Sequence, residues 1–186
     1  MALPQESRGE LERLGAAPLY TGVGKVNAAA ALARRLAELR CAGTTPSLVV
    51  NLGTAGSRNI RPHTMVACNR FSQRDMDVSG LGFPAGVTPF DDAPPIIEFP
   101  AVFPQLPQTL CSSADSFATH LHEVEGDVVD MEAFALARVC LGEKLPFACA
   151  KYITDGADSD SATHWEAALE AAARGFAEIY VSMVAA

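Results

Sequence analysis

One buried strand that ends in acidic residues constrains the fold of this chain more than any other feature. Residues 147–153 (FACAKYI) form a short apolar run, and Thr154, Asp155 and Gly156 follow it directly. A run of this length, bounded by turn residues, predicts a strand that is buried on both faces. In α/β sheets, ligands bind at the carboxyl ends of the strands. The sequence therefore predicts a carboxylate at the place where such a fold binds its ligand.

The rest of the chain alternates between short apolar runs and longer helical patterns. Strands are predicted over 47–52, 65–71 and 108–112, and helices over 26–40, over 131–142 and from about 163 to the end. A glycine-rich turn is expected at 53–57, after the first strand. The last helix carries an apolar stripe that we expect to face the core: Trp165, Leu169, Ala172, Phe176, Ile179 and Met183. This alternation predicts an α/β protein with helices on the faces of its sheet.

Length and charge narrow the classes of function. The 186 residues fit a single domain over 1–186, and the net charge of −8 with scattered basic residues argues against nucleic acid as a partner. The apolar stretches are too short to span a membrane, and the charged N-terminal segment does not fit a signal peptide. We therefore expect a cytoplasmic protein that has no membrane partner.

Neither cysteine nor histidine predicts a metal site. The five cysteines show no Cys-x-x-Cys spacing and lie mostly in apolar surroundings, which is typical of reduced core thiols. His120 and His122 could face the same way on a strand and bind a metal, but no third ligand is signalled nearby. The alternative is that both histidines are simply exposed. We expect no metal and no organic cofactor.

Small and polar residues gather at several predicted strand ends, and these ends are expected to converge on one pocket. The segments are 22–25, 53–57, 112–117 and 154–158. Asp155 would be the buried acid of this pocket, placed to donate a proton. The alternative for Asp155 is a helix or loop cap, a position that aspartate also favours.

Six segments, in this order, resemble the nucleoside phosphorylase/nucleosidase superfamily of the purine nucleoside phosphorylase/uridine phosphorylase type. They are TGVGKVNAA, VVNLGTAGS, QRDMDV, SSADSF, VVDMEAFALARVC and KYITDGAD. Among its branches the chain looks most like the 5′-methylthioadenosine/S-adenosylhomocysteine nucleosidases. The resemblance implies a three-layer αβα sandwich with a mixed central sheet, a purine nucleoside as substrate, and cleavage of its N-glycosidic bond.

The resemblance also implies roles for individual residues. Asp155 matches the acid that protonates the leaving base. Met131 and Glu132 match the segment beside the ribose, where the carboxylate accepts hydrogen bonds from the sugar hydroxyls. Phe117 and Ala118 match the loop that stacks on the base. Val23 and Thr54 match positions on the ribose and nucleophile side of the pocket. The alternatives are plain core packing for Phe117 and a solvated helix position for Glu132.

The nucleophile separates nucleosidases from phosphorylases. The purine phosphorylases carry an arginine just before the Gly-Ser/Thr turn, where this chain has Asn51-Leu52, which favours water over phosphate. Glu6 matches the glutamate that acts as the base toward water in the nucleosidases. Its alternative is an exposed glutamate without a catalytic duty. A phosphate-dependent phosphorylase and a nucleoside-binding protein without turnover are the alternative functions.

Two further expectations follow from the resemblance. The family places a strand before the glutamate segment, and this sequence has no residues for it before Met1, so we expect a sheet that lacks the usual first strand and has unpaired edges. Residues 74–90 resemble a loop that crosses a dimer interface and closes the partner's pocket. Its apolar wall for an alkylthio group would be formed by Leu81, Phe83 and Pro89, and we expect a homodimer. The alternative is a self-packed surface loop.

Overall fold

The computed structural model describes residues 1–118, 126–156 and 161–185 of the chain. Its α-helices are α1 (Pro4–Ser7), α2 (Glu10–Arg13), α3 (Lys25–Cys41), α4 (Ala133–Glu143) and α5 (Ser161–Val184), and a short 3₁₀ helix covers Ser79–Leu81. Its strands are β1 (Val49–Gly56), β2 (Met65–Gln73), β3 (Ile97–Glu98), β4 (Gln108–Ser113), β5 (Val128–Asp130) and β6 (Phe147–Asp155). His120 and His122 lie outside the described residues.

The six strands form one mixed sheet in the order β3-β2-β4-β5-β1-β6. Parallel ladders join β1 to β6, β2 to β4 and β4 to β5, and antiparallel ladders join β1 to β5 and β2 to β3. β2 also pairs antiparallel with β6, so that five strands close into a ring. The expectation of unpaired edges is therefore wrong for the described strands, because this closure leaves only β3 at an outer edge.

Helices cover both faces of the sheet, which confirms the three-layer αβα architecture. On one face α3 and α4 pack against a cluster that includes Leu32, Leu36, Phe71 and Phe147. On the other face α2 and α5 enclose a second cluster, to which α5 contributes Ala168, Ala172, Phe176 and Ile179. The helical spacing of these α5 residues places them on one buried side of the helix.

The glycine-rich segment after residue 52 continues the first strand, so the turn predicted there was wrong. β1 pairs with β6 from Val49↔Phe147 to Gly56↔Asp155, with one irregularity between Ala55 and Gly56. Because β1 is buried, little room is left between its backbone and the side chains that pass over it. A Cβ on Gly53 would lie 3.2 Å from Lys151 Nζ, which explains why a glycine occupies this strand position without forming a turn.

Among the described residues, five short elements escaped the sequence analysis, namely α1, α2, the 3₁₀ helix, β3 and β5. Each has two to four residues, which is too few to show a helical or strand period. None of the described helices combines the length and the apolar character needed to cross a membrane.

Candidate active site

A cavity of about 250 Å³ lies where the carboxyl ends of the strands meet the N-terminal segment and α5. It brings together eight of the residues that the sequence singled out: Glu6, Val23, Thr54, Phe117, Ala118, Met131, Glu132 and Asp155. Lining residues that the sequence analysis did not assign to the pocket include Arg74, Asp130 and Trp165. Leu81, Phe83 and Pro89 are not among the residues that line it.

Glu6 is buried, with 3% of its surface exposed, and its carboxylate is held from two sides. Oε2 accepts hydrogen bonds from the backbone amides of Ala2 and Leu3, each at 3.1 Å. Oε1 accepts from the Thr54 amide at 2.8 Å and from Thr54 Oγ1 at 2.9 Å. The alternative of an exposed N-terminal glutamate is therefore wrong, and four donors fix the orientation of this carboxylate in the cavity wall.

Trp165 completes this part of the cavity. Its indole N–H donates to Thr54 Oγ1 at 2.9 Å, so the hydroxyl accepts from Trp165 while it donates to Glu6. The sequence analysis placed Trp165 in the core stripe of the last helix. The structure instead places it on the cavity wall, because it lies in an early turn of α5, beyond the part of the stripe that the sheet covers.

Glu132 lies at the start of α4 and is 8% exposed. Its Oε1 accepts a hydrogen bond from the Gly24 amide at 2.8 Å. Gly24 has a φ of +93°, and a Cβ there would lie 3.0 Å from Asp115 Oδ1, so only glycine fits without strain. Burial, aided by the negative charge of Asp130, raises the pKa of Glu132 to about 7. The alternative of a solvated helix residue is therefore wrong.

A buried ion pair lies in the sheet next to these groups. Lys151 Nζ is 2.7 Å from Asp130 Oδ2, and the two side chains are 2% and 1% exposed. Although burial alone lowers the pKa of Lys151, the charge of Asp130 holds it well above its usual range. Burial alone also raises the pKa of Asp130, but Lys151 and the hydrogen bond from Ser113 bring it below its usual value. Both groups are therefore charged.

Lys151, which pairs with the lining residue Asp130 but does not itself line the cavity, is a further residue that the sequence analysis missed. The ideal Cβ position of Gly53 lies 3.2 Å from Lys151 Nζ and 3.3 Å from Glu6 Oε1, so the ammonium and the carboxylate approach the same point of β1. A lysine inside an apolar run is the signal that could have revealed it, because a fully buried lysine requires an anionic partner.

Asp155 is the last residue of β6 and is 4% exposed. Its Oδ2 accepts a hydrogen bond from Thr154 Oγ1 at 2.7 Å. The strand prediction ended at Ile153, whereas the ladder with β1 continues to Asp155. The carboxylate is thus carried by the sheet itself, at the end of a strand that pairs with both β1 and β2.

The outer part of the cavity is more open. Phe117 is 46% exposed and Val23 is 41% exposed, so the alternative of plain core packing for Phe117 is wrong. Contacts between neighbouring loops hold this rim together. Lys25 and Asp75 form an ion pair, and Asp75 also accepts a hydrogen bond from the Asp115 amide at 2.9 Å.

Arg74, at the start of the loop after β2, lines this cavity, whereas the part of the loop that carries Leu81, Phe83 and Pro89 does not. Leu81 is 76% exposed, and Phe83 packs edge-on against Phe90 with ring centroids 5.5 Å apart. The prediction that Leu81, Phe83 and Pro89 close the pocket of a partner subunit remains a prediction.

Comparisons with known proteins agree with this architecture. The family model described as "Phosphorylase superfamily" matches residues 7–124 and 109–185. The 5′-methylthioadenosine/S-adenosylhomocysteine nucleosidase of Geobacillus kaustophilus is 30% identical over 201 residues, which cover 96% of this chain and 83% of that protein.

Solved structures of similar proteins share the fold. The Helicobacter pylori 5′-methylthioadenosine/S-adenosylhomocysteine nucleosidase, solved in complex with a substituted pyrrolidin-3-ol, superposes with a TM-score of 0.84 at 22% identity, covering 98% of this chain and 94% of the other. The futalosine hydrolase of Helicobacter pylori superposes with a TM-score of 0.82, also at 22% identity and with the same coverage. The chain therefore belongs to the phosphorylase superfamily and, within it, to the nucleosidases, enzymes that hydrolyse N-glycosidic bonds.

Proposed function

We propose that the chain hydrolyses the N-glycosidic bond of a purine nucleoside such as 5′-methylthioadenosine or S-adenosylhomocysteine. The observation that carries the proposal is the arrangement of Asp155, Glu132 and Glu6, three buried carboxylates that line one cavity. The names of the similar nucleosidases supply the substrate class.

The proposed reaction divides the work between the carboxyl groups. Asp155 donates a proton to N7 of the purine as the bond between N9 and C1′ breaks, so that the base leaves as a neutral molecule. The sugar passes through an oxocarbenium-like state, water attacks C1′, and Glu6 accepts the proton that the water loses. Paired acid and base groups on opposite sides of a scissile bond are also the basis of glycoside hydrolysis.

The remaining residues of the cavity would bind the substrate. Glu132 accepts hydrogen bonds from the ribose hydroxyls beside Met131, and Phe117 stacks on the base next to Ala118. Val23 and Thr54 line the sugar side. No step requires a metal or an organic cofactor.

Water is favoured over phosphate by the charges around the cavity. Asn51 stands where the resemblance places the phosphate-binding arginine, and its Oδ1 accepts a hydrogen bond from the Cys149 thiol at 3.3 Å inside the core. Lys151 is neutralised by Asp130. Because Glu6, the proposed base, holds a negative charge beside the attacking water, a phosphate dianion would be repelled there.

We further propose a homodimer in which the loop over residues 74–90 closes the partner's cavity. The exposed side chains of this loop support the proposal, since Leu81 is 76% exposed and Phe90 is 97% exposed. Exposed apolar side chains of this kind are typical of interfaces between chains.

Adenine release from 5′-methylthioadenosine, measured with and without phosphate, tests the proposed function. We expect release without phosphate, lowered about 10²- to 10⁴-fold by Asp155→Asn, since this substitution removes the general acid. Asp92→Asn, at an exposed position outside the cavity, is the matched control and should release adenine at the unmodified rate. Release that requires phosphate would instead identify a phosphorylase. Binding without release would identify a nucleoside-binding protein.

A further inference from the structure

Within the described part of the chain, one guanidinium lines the rim of the cavity, and the proposed mechanism does not use it. Arg74 directly follows β2. Its Nη2 donates to the Ser116 carbonyl oxygen at 2.6 Å and its Nη1 to Ser116 Oγ at 3.3 Å, both of them uncharged acceptors. We propose that Arg74 selects nucleosides whose 5′-substituent carries a carboxylate. This inference rests on the proposed function, because it names the class of substrate for the same cavity.

The hydrogen bonds of Arg74 leave part of its binding capacity unused. A guanidinium has five N–H donors, and two of them bind Ser116. The Nε atom is buried without a hydrogen-bond partner in the part of the chain that the structure describes. A buried donor that lacks an acceptor costs free energy, so Arg74 gives up no hydrogen bond of Nε when its side chain turns toward an incoming acceptor.

The charge of Arg74 is also unpaired within the described residues. The two described lysines close to the cavity are each paired with a carboxylate, since Lys25 binds Asp75 and Lys151 binds Asp130. None of the ion pairs among the described residues includes Arg74. A ligand with a negative charge would therefore meet the one cation on the cavity wall that no described carboxylate neutralises.

The position of Arg74 indicates which part of a nucleoside it would meet. The buried carboxylates define the inner end of the cavity, whereas the neighbours of Arg74 at the rim, Ser116 and Phe117, are exposed. With the edge of the base at Asp155, its face on Phe117 and the sugar hydroxyls at Glu132, the 5′-carbon is the part of the nucleoside that remains to extend outward. A substituent on that carbon would reach the rim.

A carboxylate suits this rim better than a phosphate. Guanidinium and carboxylate groups match in geometry and can form two parallel hydrogen bonds. One cation balances one negative charge, whereas the second charge of a phosphate would remain unbalanced in a cavity that also holds the negative charge of Glu6.

A matched pair of ligands tests the inference without turnover. The ligands are 9-deazaadenosines, whose carbon–carbon glycosidic bond cannot be hydrolysed, with a 5′-thioether that ends either in a carboxylate or in the corresponding carboxamide. Titration calorimetry gives both dissociation constants for the unmodified chain and for Arg74→Gln. We expect the unmodified chain to bind the carboxylate about 10- to 100-fold more tightly than the carboxamide, and Arg74→Gln to reduce this ratio to about one.

Two further variants separate charge recognition from a structural role. Arg34→Gln removes the same charge from an exposed position on α3 and should keep the ratio of the unmodified chain. Arg74→Lys keeps the charge without the fork of donors and should give an intermediate ratio, which also serves if Arg74→Gln does not fold. Equal losses for both ligands in Arg74→Gln would mean that Arg74 only supports Ser116, and would overturn the inference.

The outcomes for the substrate class and for the reaction are distinguishable. Hydrolysis of 5′-methylthioadenosine together with a ratio near one in the unmodified chain would overturn the role of Arg74 and leave the proposed function intact. A ratio that depends on Arg74, without hydrolysis of the matching adenosines, would support the role and contradict the function. Failure of both ligands to bind would overturn both.

Discussion

Lys151 Nζ lies 2.7 Å from Asp130 Oδ2 inside the sheet, and this ion pair is almost completely closed to water. We expect Lys151→Met to lower the free energy of unfolding by about 3–5 kcal/mol, because it leaves the charge of Asp130 buried without a partner. Urea unfolding at pH 7 measures the change. The double variant Lys151→Met/Asp130→Asn should recover part of the loss, since it removes the unpaired charge. A single variant as stable as the unmodified chain would show that Asp130 is neutral or solvated.

Glu6→Gln tests the proposed base. An amide cannot accept the proton of the attacking water, so we expect kcat for adenine release to fall about 10²- to 10⁴-fold. The new side-chain amide would also place an N–H group against backbone N–H donors that now bind the Glu6 carboxylate. Two donors that face each other cannot form a hydrogen bond, so we also expect a loss of stability. Glu38→Gln on α3 is the surface control. Activity close to normal in Glu6→Gln, with the fold retained, would assign the base to another group.

The pH dependence of kcat/KM should report Glu132. Its pKa of about 7 in the free protein means that the carboxylate is protonated below neutrality and then loses acceptor capacity for the ribose hydroxyls. We expect kcat/KM for 5′-methylthioadenosine to rise with pH through about 7, and Glu132→Gln to remove this inflection along with most of the activity. An inflection that persists in Glu132→Gln would belong to a different group.

The same pKa has a consequence for stability. Because the folded-state pKa of Glu132 lies above the usual value of 4.5, the folded protein binds a proton more tightly than the unfolded chain. This contribution is complete below about pH 4.5 and is lost as the pH rises through about 7. Glu132→Gln should therefore lose less stability between pH 5 and pH 8 than the unmodified chain, as measured by urea unfolding at the two values.

Gly53→Ala should disturb the cavity from within β1. The added methyl group would lie 3.2 Å from Lys151 Nζ and 3.3 Å from Glu6 Oε1, so one of these charged groups must move. We expect a loss of about 1–3 kcal/mol in stability and a lower kcat for adenine release. Gly142→Ala on α4 is the control, since the nearest atom to its Cβ position is Arg138 Nη1 at 3.7 Å, an ordinary contact distance. Unchanged activity in Gly53→Ala would mean that the position of Glu6 is not critical.

Helices and strands with a clear hydrophobic period could be predicted from the sequence, and the short ones could not. The helix predicted over 26–40 is α3, and the strand predicted over 65–71 is β2, which continues to Gln73. The predicted end of the first strand at Leu52 was wrong, because Gly53 lies in the strand where side chains pass close to the backbone and not in a turn. That reason depends on Lys151 and Glu6, which are distant from Gly53 in the sequence.

The site residues likewise divide into those that a local sequence pattern predicts and those that it does not. Asp155 was predictable from its place at the end of a buried strand, a local pattern. Neither the ion pair of Lys151 with Asp130 nor the bond from Trp165 to Thr54 could be predicted, since each joins segments that only the folded sheet brings together. The resemblance to known nucleosidases selected Glu6, but its four hydrogen bonds are visible only in the structure.

The two groups proposed for proton transfer rest on supports of unequal strength. Asp155 ends a strand with ladders on both sides, whereas Glu6 belongs to a one-turn helix that is tied to the sheet through Thr54. Backbone amides of β6 should thus exchange with solvent far more slowly than those of α1. On heating, Glu6 would be displaced while Asp155 is still in place. Catalytic activity should therefore be lost at a lower temperature than the one at which the sheet unfolds.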